Sequence, residues 1–407
     1  MEDTNQTKSV YQSRLFSERI AKTYRHIKTA ARKQKIGCYR VYDKDIPEVP
    51  LAVDIYEFLP AELSSRLLSS EPEKNPKAEI LSFLAEENSL IAANDSNAAD
   101  ARQKRIRAVI YLYERPYQKT QAEEKTWLTL MAKTLSDTLK IPPAHVTLKI
   151  RKKQRGKNQY TKFPSSDSDP FPFSEKHRTI QGVVSEYGEL FCVNLTDYID
   201  TGLFFDRRLL RKKIRTESAG KTLLNLFCYT GSFSVYAASG NASKIESVDL
   251  SRTALTKAAL NMKINGFTDP KKYIFTRADV KTFLSRKLSL LNTQTLTPAP
   301  QNPSPARYDI IILDPPVFSN SSSTPSILDI RRDFLTLTSN CLNLLNPDGT
   351  LYASITSPKN LPDTLLPFTK TAANLKVSLQ DITPQTTPLD TKKTKAPRCL
   401  MYKVSRP

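Results

Sequence analysis

Apolar runs in the second half of the chain are each followed by a segment with helical spacing. These runs centre on Leu223, Ile245, Ile274, Ile310 and Leu351. Short apolar runs without alternation are typical of strands that are buried on both faces of a parallel sheet. Strand patterns near the end of the chain, from Val377 and from Cys399, follow them. The pattern predicts an α/β fold, a parallel sheet that finishes in an antiparallel strand pair.

The first half has a different pattern, in which apolar and polar positions alternate. Alternation over residues 38–43 and 51–59 predicts a strand pair, and strand character returns at 107–114 and 146–151. Between the last two strands, residues 122–139 have the apolar spacing of a helix. Strand, strand, helix, strand predicts a smaller α+β domain ahead of the parallel sheet.

Composition indicates where these domains divide. We expect an accessory domain over 1–176, with a polar insertion at about 61–104 and a proline- and serine-rich linker at about 163–176. The second domain then covers 177–407. A hairpin predicted over 180–195, around a tyrosine and glycine turn, fits either domain.

The formal net charge is +20, and the cations are clustered. From Lys22 to Arg40 there is no acid, and apolar residues recur at three- and four-residue steps, which predicts an amphipathic helix with a basic face. Arg151 to Lys162 holds six cations and a tyrosine without an acid. Solvated surfaces are the alternative, but such clusters suit the phosphates and bases of a nucleic acid. The candidate contacts are Arg25, Arg32, Lys152, Lys153, Arg155, Lys157 and Tyr160.

Other features exclude several classes of protein. No apolar segment approaches membrane length and the first residues are polar, so we expect a cytoplasmic protein without a membrane partner. The five cysteines are scattered and only three histidines are present. This argues against a disulfide framework and against a metal site.

The candidate chemistry lies at the ends of the apolar runs. The first run leads into a loop with a single glycine, Gly231, whereas a dinucleotide pyrophosphate usually requires several. A nucleoside without phosphates, such as S-adenosylmethionine, makes smaller demands. Asp249 ends the next run, where it can accept bonds from two ribose hydroxyls. Asp314, Pro315 and Pro316 end a later run.

Motifs at these positions resemble those of the bacterial 23S rRNA guanine-N7 methyltransferases, which form the C-terminal half of the bifunctional K/L enzymes. They are DTGLFFDRR at 200–208, NLFCYTGS at 225–232, DLSR at 249–252 and DPPVFSNS at 314–321, with further similarity at 38–43 and 155–160. The resemblance implies a class I (Rossmann-like) S-adenosylmethionine-dependent methyltransferase that acts on large-subunit rRNA. The family's other half, which contains an N2-guanine methyltransferase, is missing, so a separate chain supplying it is a further expectation.

The resemblance also implies roles for individual residues. One group lines the cofactor, with Asp249 on the ribose, Asp279 facing the adenine amine and Arg208 near the methionine carboxylate. In a second group, Asp314 and the prolines hold the guanine edge and Phe318 stacks on a flipped base. Packing or capping roles are the alternatives for Asp249, Asp279 and Phe318. The cofactor group is Asp206, Arg208, Asn225, Phe227, Tyr229, Gly231, Asp249, Leu250 and Asp279, and the catalytic group is Asp314, Pro315, Pro316 and Phe318.

Guanine N7 is a neutral lone pair, so methylation there needs positioning rather than a base. Cytosine-C5 methylation is an alternative, but it requires a thiolate, and neither 314–321 nor 354–359 contains a cysteine. Cys341 has the spacing of a core residue. The segment 354–359 also departs from the asparagine-rich stretch expected in the family, which leaves its target contacts open.

Two other functions fit the same motifs less well. In methyltransferases that act on base amino groups, an aromatic residue directly follows the prolines, whereas Val317 intervenes here. A non-catalytic RNA-binding or ribosome-assembly factor would not need Asp249 and Asp314, which are both present. We therefore expect guanine-N7 methylation of 23S rRNA.

Overall fold

The structure, a computed structural model, describes most of the chain and divides it into two compact units, Met1–Phe205 and Asp206–Pro407. Among the described residues, no helix combines the length and apolar character needed to cross a membrane. The predicted linker at 163–176 lies outside the described residues. These residues are 2–69, 77–113, 120–151, 179–292, 306–320, 327–356, 376–392 and 396–405.

The first unit consists of a mixed sheet, a hairpin and surrounding helices. In its sheet, β2 pairs antiparallel with both β1 and β3, and β4 runs parallel to β3. The predicted strands and the helix before β4 are confirmed. The elements are α1 (Glu2–Lys33), β1 (Cys38–Asp43), β2 (Leu51–Glu57), α2 (Ala61–Leu68), α3 (Lys77–Ala92), α4 (Ser96–Gln103), β3 (Ile106–Tyr113), α5 (Gln121–Leu139), β4 (Val146–Arg151), β5 (Gln181–Glu186) and β6 (Glu189–Asn194).

The long helices α1 and α5 supply the apolar cover of this sheet. Phe16 and Ile20 on α1 and Trp127 and Met131 on α5 are buried in one core with the strands. The Trp127 indole N–H donates to the Gln12 side chain at 2.7 Å, so the buried polar atom has a partner. The apolar spacing along α1 is therefore core spacing, as the amphipathic pattern predicts.

The basic helix predicted from Lys22 to Arg40 is too long. Helix α1 ends at Lys33, and Lys35 adopts a left-handed backbone with φ of 58°, which terminates the helix. Arg40 lies in β1, where its guanidinium donates to both carboxylate oxygens of Asp54 at 2.7 and 3.0 Å. The segment itself contains no acid, and the acidic partner of Arg40 comes from the neighbouring strand β2.

The insertion expected at 61–104 from its polar composition contains the helices α2, α3 and α4. Arg102 on α4 is buried and donates to Glu57 at the end of β2 at 2.8 Å. The hairpin β5–β6 also belongs to this unit, since Leu59 N–H donates to Val183 O at 2.9 Å.

The second unit contains the predicted parallel sheet. Its strand order is β14-β15-β13-β10-β7-β8-β9; the five strands from β13 to β9 are parallel, while β15 and β14 are antiparallel additions. The α/β fold class is confirmed. The elements are α6 (Arg208–Glu217), β7 (Thr222–Leu226), α7 (Ser232–Ser239), β8 (Lys244–Asp249), α8 (Arg252–Ile264), β9 (Tyr273–Arg277), α9 (Val280–Asn292), β10 (Tyr308–Leu313), β11 (Phe318–Asn320), β12 (Ile327–Asp329), α10 (Ile330–Asn343), β13 (Leu345–Ile355), β14 (Lys376–Asp381), α11 (Thr383–Thr386) and β15 (Arg398–Ser405).

The apolar runs become the centre of this sheet because both of their faces are covered. Leu224 on β7, Ile311 on β10 and Leu351 on β13 are fully buried in one core with side chains of α10. The chain leaves β7 toward β8 on one side and returns to β10 on the other. Ligands of open parallel sheets bind at the carboxyl edge beside such a reversal.

Candidate active site

The loop between β7 and α7 has an unusual backbone. Phe227, Tyr229 and Gly231 have φ of 55°, 49° and 71°, in the left-handed region. For a bulky residue such as Phe or Tyr this conformation costs on the order of 1–3 kcal/mol. Strain of this kind persists only where surrounding contacts hold it, and it concentrates at functional sites.

Three hydrogen bonds, with residues of β8 and α8, hold the loop. The Cys228 N–H donates to Val248 O on β8 at 3.0 Å, and the Tyr229 N–H donates to the Asp249 carboxylate at 2.9 Å. The Asn261 amide of α8 donates to Thr230 O at 2.9 Å. The strained turn is thus fixed by its neighbours, which makes it a pre-formed cradle at the carboxyl edge.

Gly231 is required here for two reasons. Its φ of 71° disfavours a side chain, and a Cβ built on it would lie 2.8 Å from the Cβ of Ala258. The start of α7 therefore approaches α8 more closely than any other residue would allow. The single glycine predicted to line the cofactor also sets the helix packing beneath the loop.

Asn225 lies under the loop rather than on its surface. Its side chain is 1% exposed, and its Nδ2 donates to Ser234 Oγ at 2.9 Å, which in turn lies 2.8 Å from Ser247 Oγ. The Asn225 Oδ1 has no hydrogen-bond partner among the described residues. This buried network supports the ends of β7 and β8; direct contact of Asn225 with a cofactor stays a prediction.

Asp249 ends β8 and is 7% exposed. One carboxylate oxygen accepts from Tyr229 N and the other from Ser251 N, both at 2.9 Å. Burial raises the pKa of Asp249, while these backbone donors act in the opposite direction. A carboxylate has about four acceptor sites on its two oxygens, so Asp249 can still accept from ribose hydroxyls.

Two further predicted cofactor residues follow the ends of β8 and β9. Asp279 is half-buried and caps α9, because its Oδ1 accepts from Thr282 N at 3.0 Å. Leu250 is half-buried, and its carbonyl accepts from Arg277 Nε at 3.2 Å. Both residues have structural roles here, and their contacts with a cofactor stay predictions.

Asp314 follows β10 and is bound by an arginine that the sequence reading did not select. Arg207 Nε donates to both Asp314 oxygens at 3.1 Å, and Arg207 Nη2 donates to Oδ1 at 2.9 Å. Burial disfavours the guanidinium charge, but the carboxylates of Asp206 and Asp314 outweigh this effect and raise the pKa of Arg207. The acid predicted to hold the guanine edge is therefore already paired.

The residues after Asp314 form a partly exposed turn. Pro315 is buried, Pro316 is half-buried, and Val317 is 41% exposed. Phe318 begins β11 and pairs with Asp329 of β12. The placement of its side chain is outside the described part of the structure, so stacking on a base stays a prediction.

The residues before and after Arg207 in the chain, Asp206 and Arg208, bind different partners. Asp206 accepts from Arg207 Nη1 at 2.9 Å through one oxygen, and its other oxygen is buried without a hydrogen-bond partner among the described residues. Arg208 is 3% exposed and donates to Asp390 at 2.8 Å. This ion pair gives Arg208 a protein partner, and its predicted contact with a methionine carboxylate remains untested.

Thiols in the second unit are poorly suited to nucleophilic attack. Cys399 on β15 is 2% exposed, and burial raises its pKa to about 12. Burial also raises the pKa of Cys228 in the loop and of Cys341 in α10 well above the usual range. No histidine occurs after position 205. Among the described residues, no group of histidine, cysteine and acidic side chains is arranged to hold a metal.

The predicted nucleic-acid contacts lie in the first unit. Arg25 is exposed on α1, while Arg32 is half-buried and its Nε has no hydrogen-bond partner in the described part of the chain. The predicted contacts from the second cationic cluster are outside the described residues, and so their structure does not test that prediction. They are Lys152, Lys153, Arg155, Lys157 and Tyr160.

Comparison with known families identifies the cofactor that this chain uses. A family model described as S-adenosylmethionine-dependent methyltransferase matches residues 166–390. The chain belongs to this family. The methyltransferase therefore uses S-adenosylmethionine, and its site fits that cofactor: a strained single-glycine loop, held by Asp249, suits a nucleoside that brings no phosphates to the backbone.

Curated relatives support the same family. The chain is 31% identical to the ribosomal RNA large subunit methyltransferase K of Neisseria meningitidis over 94% of its own length and 85% of that protein. It is 33% identical to the K/L protein of Magnetococcus marinus over 92% of its length, but it spans only 40% of that protein.

Solved structures agree on the fold. A protein from Streptococcus mutans assigned as an S-adenosylmethionine-dependent methyltransferase matches with a TM-score of 0.59 and 18% identity, over 96% of this chain and 81% of that chain. A methyltransferase structure in complex with SAH matches with a TM-score of 0.60 and 18% identity, over 96% and 82% of the two chains.

Proposed function

We propose that this methyltransferase transfers a methyl group to N7 of a guanine in large-subunit rRNA. The substrate class is supported by the names of the chain's relatives. One of them is a ribosomal RNA large subunit methyltransferase K, and the match covers 85% of that protein. The position on the base is supported by the motif resemblance and by the pairing of Asp314 with Arg207.

The Asp314–Arg207 pair is the single observation that carries the choice of N7. The bidentate arginine holds the Asp314 carboxylate in a fixed orientation, which suits a residue that orients a base. Guanine N7 needs orientation and no proton acceptor, because its lone pair attacks as a neutral nucleophile. A cytosine carbon would instead require a thiolate, and burial raises the pKa of the Cys399 thiol on β15 to about 12.

The residues then have the following roles. S-adenosylmethionine supplies an electrophilic methyl group on a sulfonium. The loop from Phe227 to Gly231 and Asp249 hold the nucleoside, and Asp314 with Pro315 and Pro316 orients the base edge. The protein contributes positioning and exclusion of water, which together account for several kcal/mol in reactions of this kind.

The test is a methylation reaction with large-subunit rRNA and methyl-labelled cofactor. N7-methylguanosine has a fixed positive charge and a labile glycosidic bond, so borohydride and aniline should cleave the product at the labelled nucleotide. Label in 5-methylcytosine, or in a base methylated on its amino group, would reject N7 as the target. If active enzyme transfers no labelled methyl group to rRNA, the proposed substrate class is wrong.

Binding of rRNA through the first unit is the accompanying proposal. Replacing exposed Arg25 with Gln should remove one phosphate contact and flatten the slope of log affinity against log salt by roughly one. Lys133→Gln is the matched control, because this exposed lysine already pairs with Asp137 on the same helix. Equal slopes for both variants would assign Arg25 to a solvated surface. A separate chain that supplies the N2-guanine activity stays a prediction.

A further inference from the structure

Arg207 joins three segments of the second unit through one guanidinium group. Its Nε and Nη2 donate to Asp314 after β10, at 2.9–3.1 Å. Nη2 also donates to Thr356 Oγ1 after β13 at 2.9 Å, and Nη1 donates to Asp206 before α6 at 2.9 Å. Arg207 itself is 7% exposed, so these contacts replace water around most of its donors.

This geometry requires arginine in particular. The guanidinium is planar and presents its donors in a fixed fork, so two acceptors that bind it have a defined relative orientation. Here the fork sets the plane of the Asp314 carboxylate with respect to the ends of β10 and β13. Lysine would keep the charge but could not hold these acceptors in one plane.

Stability alone does not explain such a group. Buried ion pairs lose much of their Coulomb energy to desolvation, and apolar replacements are often as stable. The cluster places two carboxylates on one guanidinium, and one Asp206 oxygen is buried without a hydrogen-bond partner among the described residues. An arrangement of this kind costs folding energy at the edge where the reaction takes place.

We propose that Arg207 is a positioning residue for methyl transfer: it fixes the Asp314 carboxylate, and with it the Pro315–Pro316 turn, in the orientation that receives the target base. This rests on the proposed role of Asp314. Arg207 acts through Asp314 and does not itself contact the reacting atoms.

The test compares Arg207→Gln, Arg207→Lys, Asp314→Asn and the double variant Arg207→Gln/Asp314→Asn in the full chain. We expect Arg207→Gln to lower kcat on rRNA by about 100-fold, the size of effect that a small misplacement in a site produces. Arg207→Lys should recover part of this loss, because a cation remains beside Asp314. In the double variant kcat should be no lower than in the more impaired single variant.

Binding of S-adenosylhomocysteine, measured by calorimetry, gives a second readout. Its dissociation constant should change by less than about threefold in Arg207→Gln, because the cofactor loop is held by Asp249 and Asn261 instead. Multiplicative losses of kcat in the double variant, or an unchanged kcat in Arg207→Gln, would overturn the proposal. A cofactor affinity that falls with kcat would also do so, since it would assign Arg207 to the cofactor site.

Two further variants separate positioning from folding. Arg307→Gln removes a half-buried arginine at the opposite end of β10, where it donates to Asn343 O, and should lower thermal stability while kcat stays unchanged. Thr356→Val is the substitute variant if Arg207→Gln does not fold. It removes only one contact of Arg207 and should lower kcat by several-fold. Unchanged kcat in Thr356→Val would count against the proposal. The wild-type product is identified in the same reactions, so failure of guanine-N7 methylation is seen independently of the Arg207 effects.

Discussion

Asp249 and Asp314 lie at the carboxyl ends of two strands that flank β7, yet the protein binds them in opposite ways. Asp249 accepts from two backbone N–H groups, at Tyr229 and Ser251. Asp314 accepts from the guanidinium of Arg207. Backbone amides hold a carboxylate without adding a charge, whereas Arg207 brings a positive charge that Asp314 shares with Asp206.

The difference matches what each acid is expected to meet. Ribose hydroxyls donate hydrogen bonds, and a carboxylate that keeps its charge is the stronger acceptor for them. A guanine that attacks through N7 needs orientation and no proton transfer, for which a fixed carboxylate is sufficient. The two acids at one sheet edge are therefore suited to different tasks, because different groups hold them.

The largest effect that tests this comparison is loss of turnover in Asp314→Asn. The amide keeps one acceptor but loses the ion pair with Arg207, so the base edge and the turn at Pro315 are no longer fixed. We expect kcat to fall about 100-fold while S-adenosylmethionine binds as before. A matching loss of cofactor affinity, measured by calorimetry, would show that the two acids do not have separate tasks.

Asp249→Ala should produce the converse result. Removing the carboxylate leaves the Tyr229 N–H without its partner and deletes the proposed ribose acceptor, so cofactor affinity should fall by about 1–3 kcal/mol. Asp269→Ala is the control, because this exposed acid also accepts a backbone N–H, from Lys271, but lies before β9. Equal dissociation constants for Asp249→Ala and wild type would remove Asp249 from the cofactor site.

Gly231→Ala tests the cradle that Asp249 holds. A methyl group there meets the left-handed φ and the Ala258 Cβ at 2.8 Å, so the free energy of unfolding should fall by about 2–3 kcal/mol. Gly220→Ala is the matched control: its φ is 70°, but nothing lies within 4 Å of its Cβ position. It should lose only about 1 kcal/mol. Equal losses in urea unfolding would mean that the contact with α8 is unimportant.

The smallest effect concerns an acid in the first turn of α10. Asp333 on α10 accepts from Arg332, and this bond lowers its pKa to about 2 from an ordinary value of 3.8. Its contribution to stability is therefore present above about pH 4 and is lost as the pH falls toward 2. Asp333→Asn should remove at most about 1 kcal/mol of this acid dependence, since the pair is partly solvated. Asp348→Asn, at an exposed acid of β13, should leave the dependence unchanged.

The parallel sheet was predictable because burial on both faces leaves a direct mark on sequence. The apolar runs at Leu223, Ile245 and Ile310 become central strands, and acids that end such runs necessarily meet at one edge. The positions of Asp249 and Asp314 on that edge follow from this rule. Assignment of the cofactor followed from the loop's single glycine and from the resemblance.

Arg207 was not predictable from pattern. It lies among three consecutive charged residues, and the direction of each depends on the short helical turn that precedes α6. The partner of Arg40 was missed for a related reason, because Asp54 comes from the opposite strand and not from the same segment. Long-range ion pairs leave no local periodicity. The available signal was that Asp314, an acid at a strand end, had no cationic partner assigned to it.

The buried bond between Arg102 and Glu57 has a consequence for shortening the first unit. Glu57 ends β2 and is 5% exposed, and Arg102, its cationic partner, comes from the helical segment that sequence composition alone would classify as removable. Tyr39 also donates to Glu57 at 2.9 Å, but a phenol does not balance a charge. Deletion of residues 61–104 would remove the cation that is hydrogen-bonded to this buried carboxylate, so a shortened version of this domain should be tested with Glu57 replaced by glutamine in the same step.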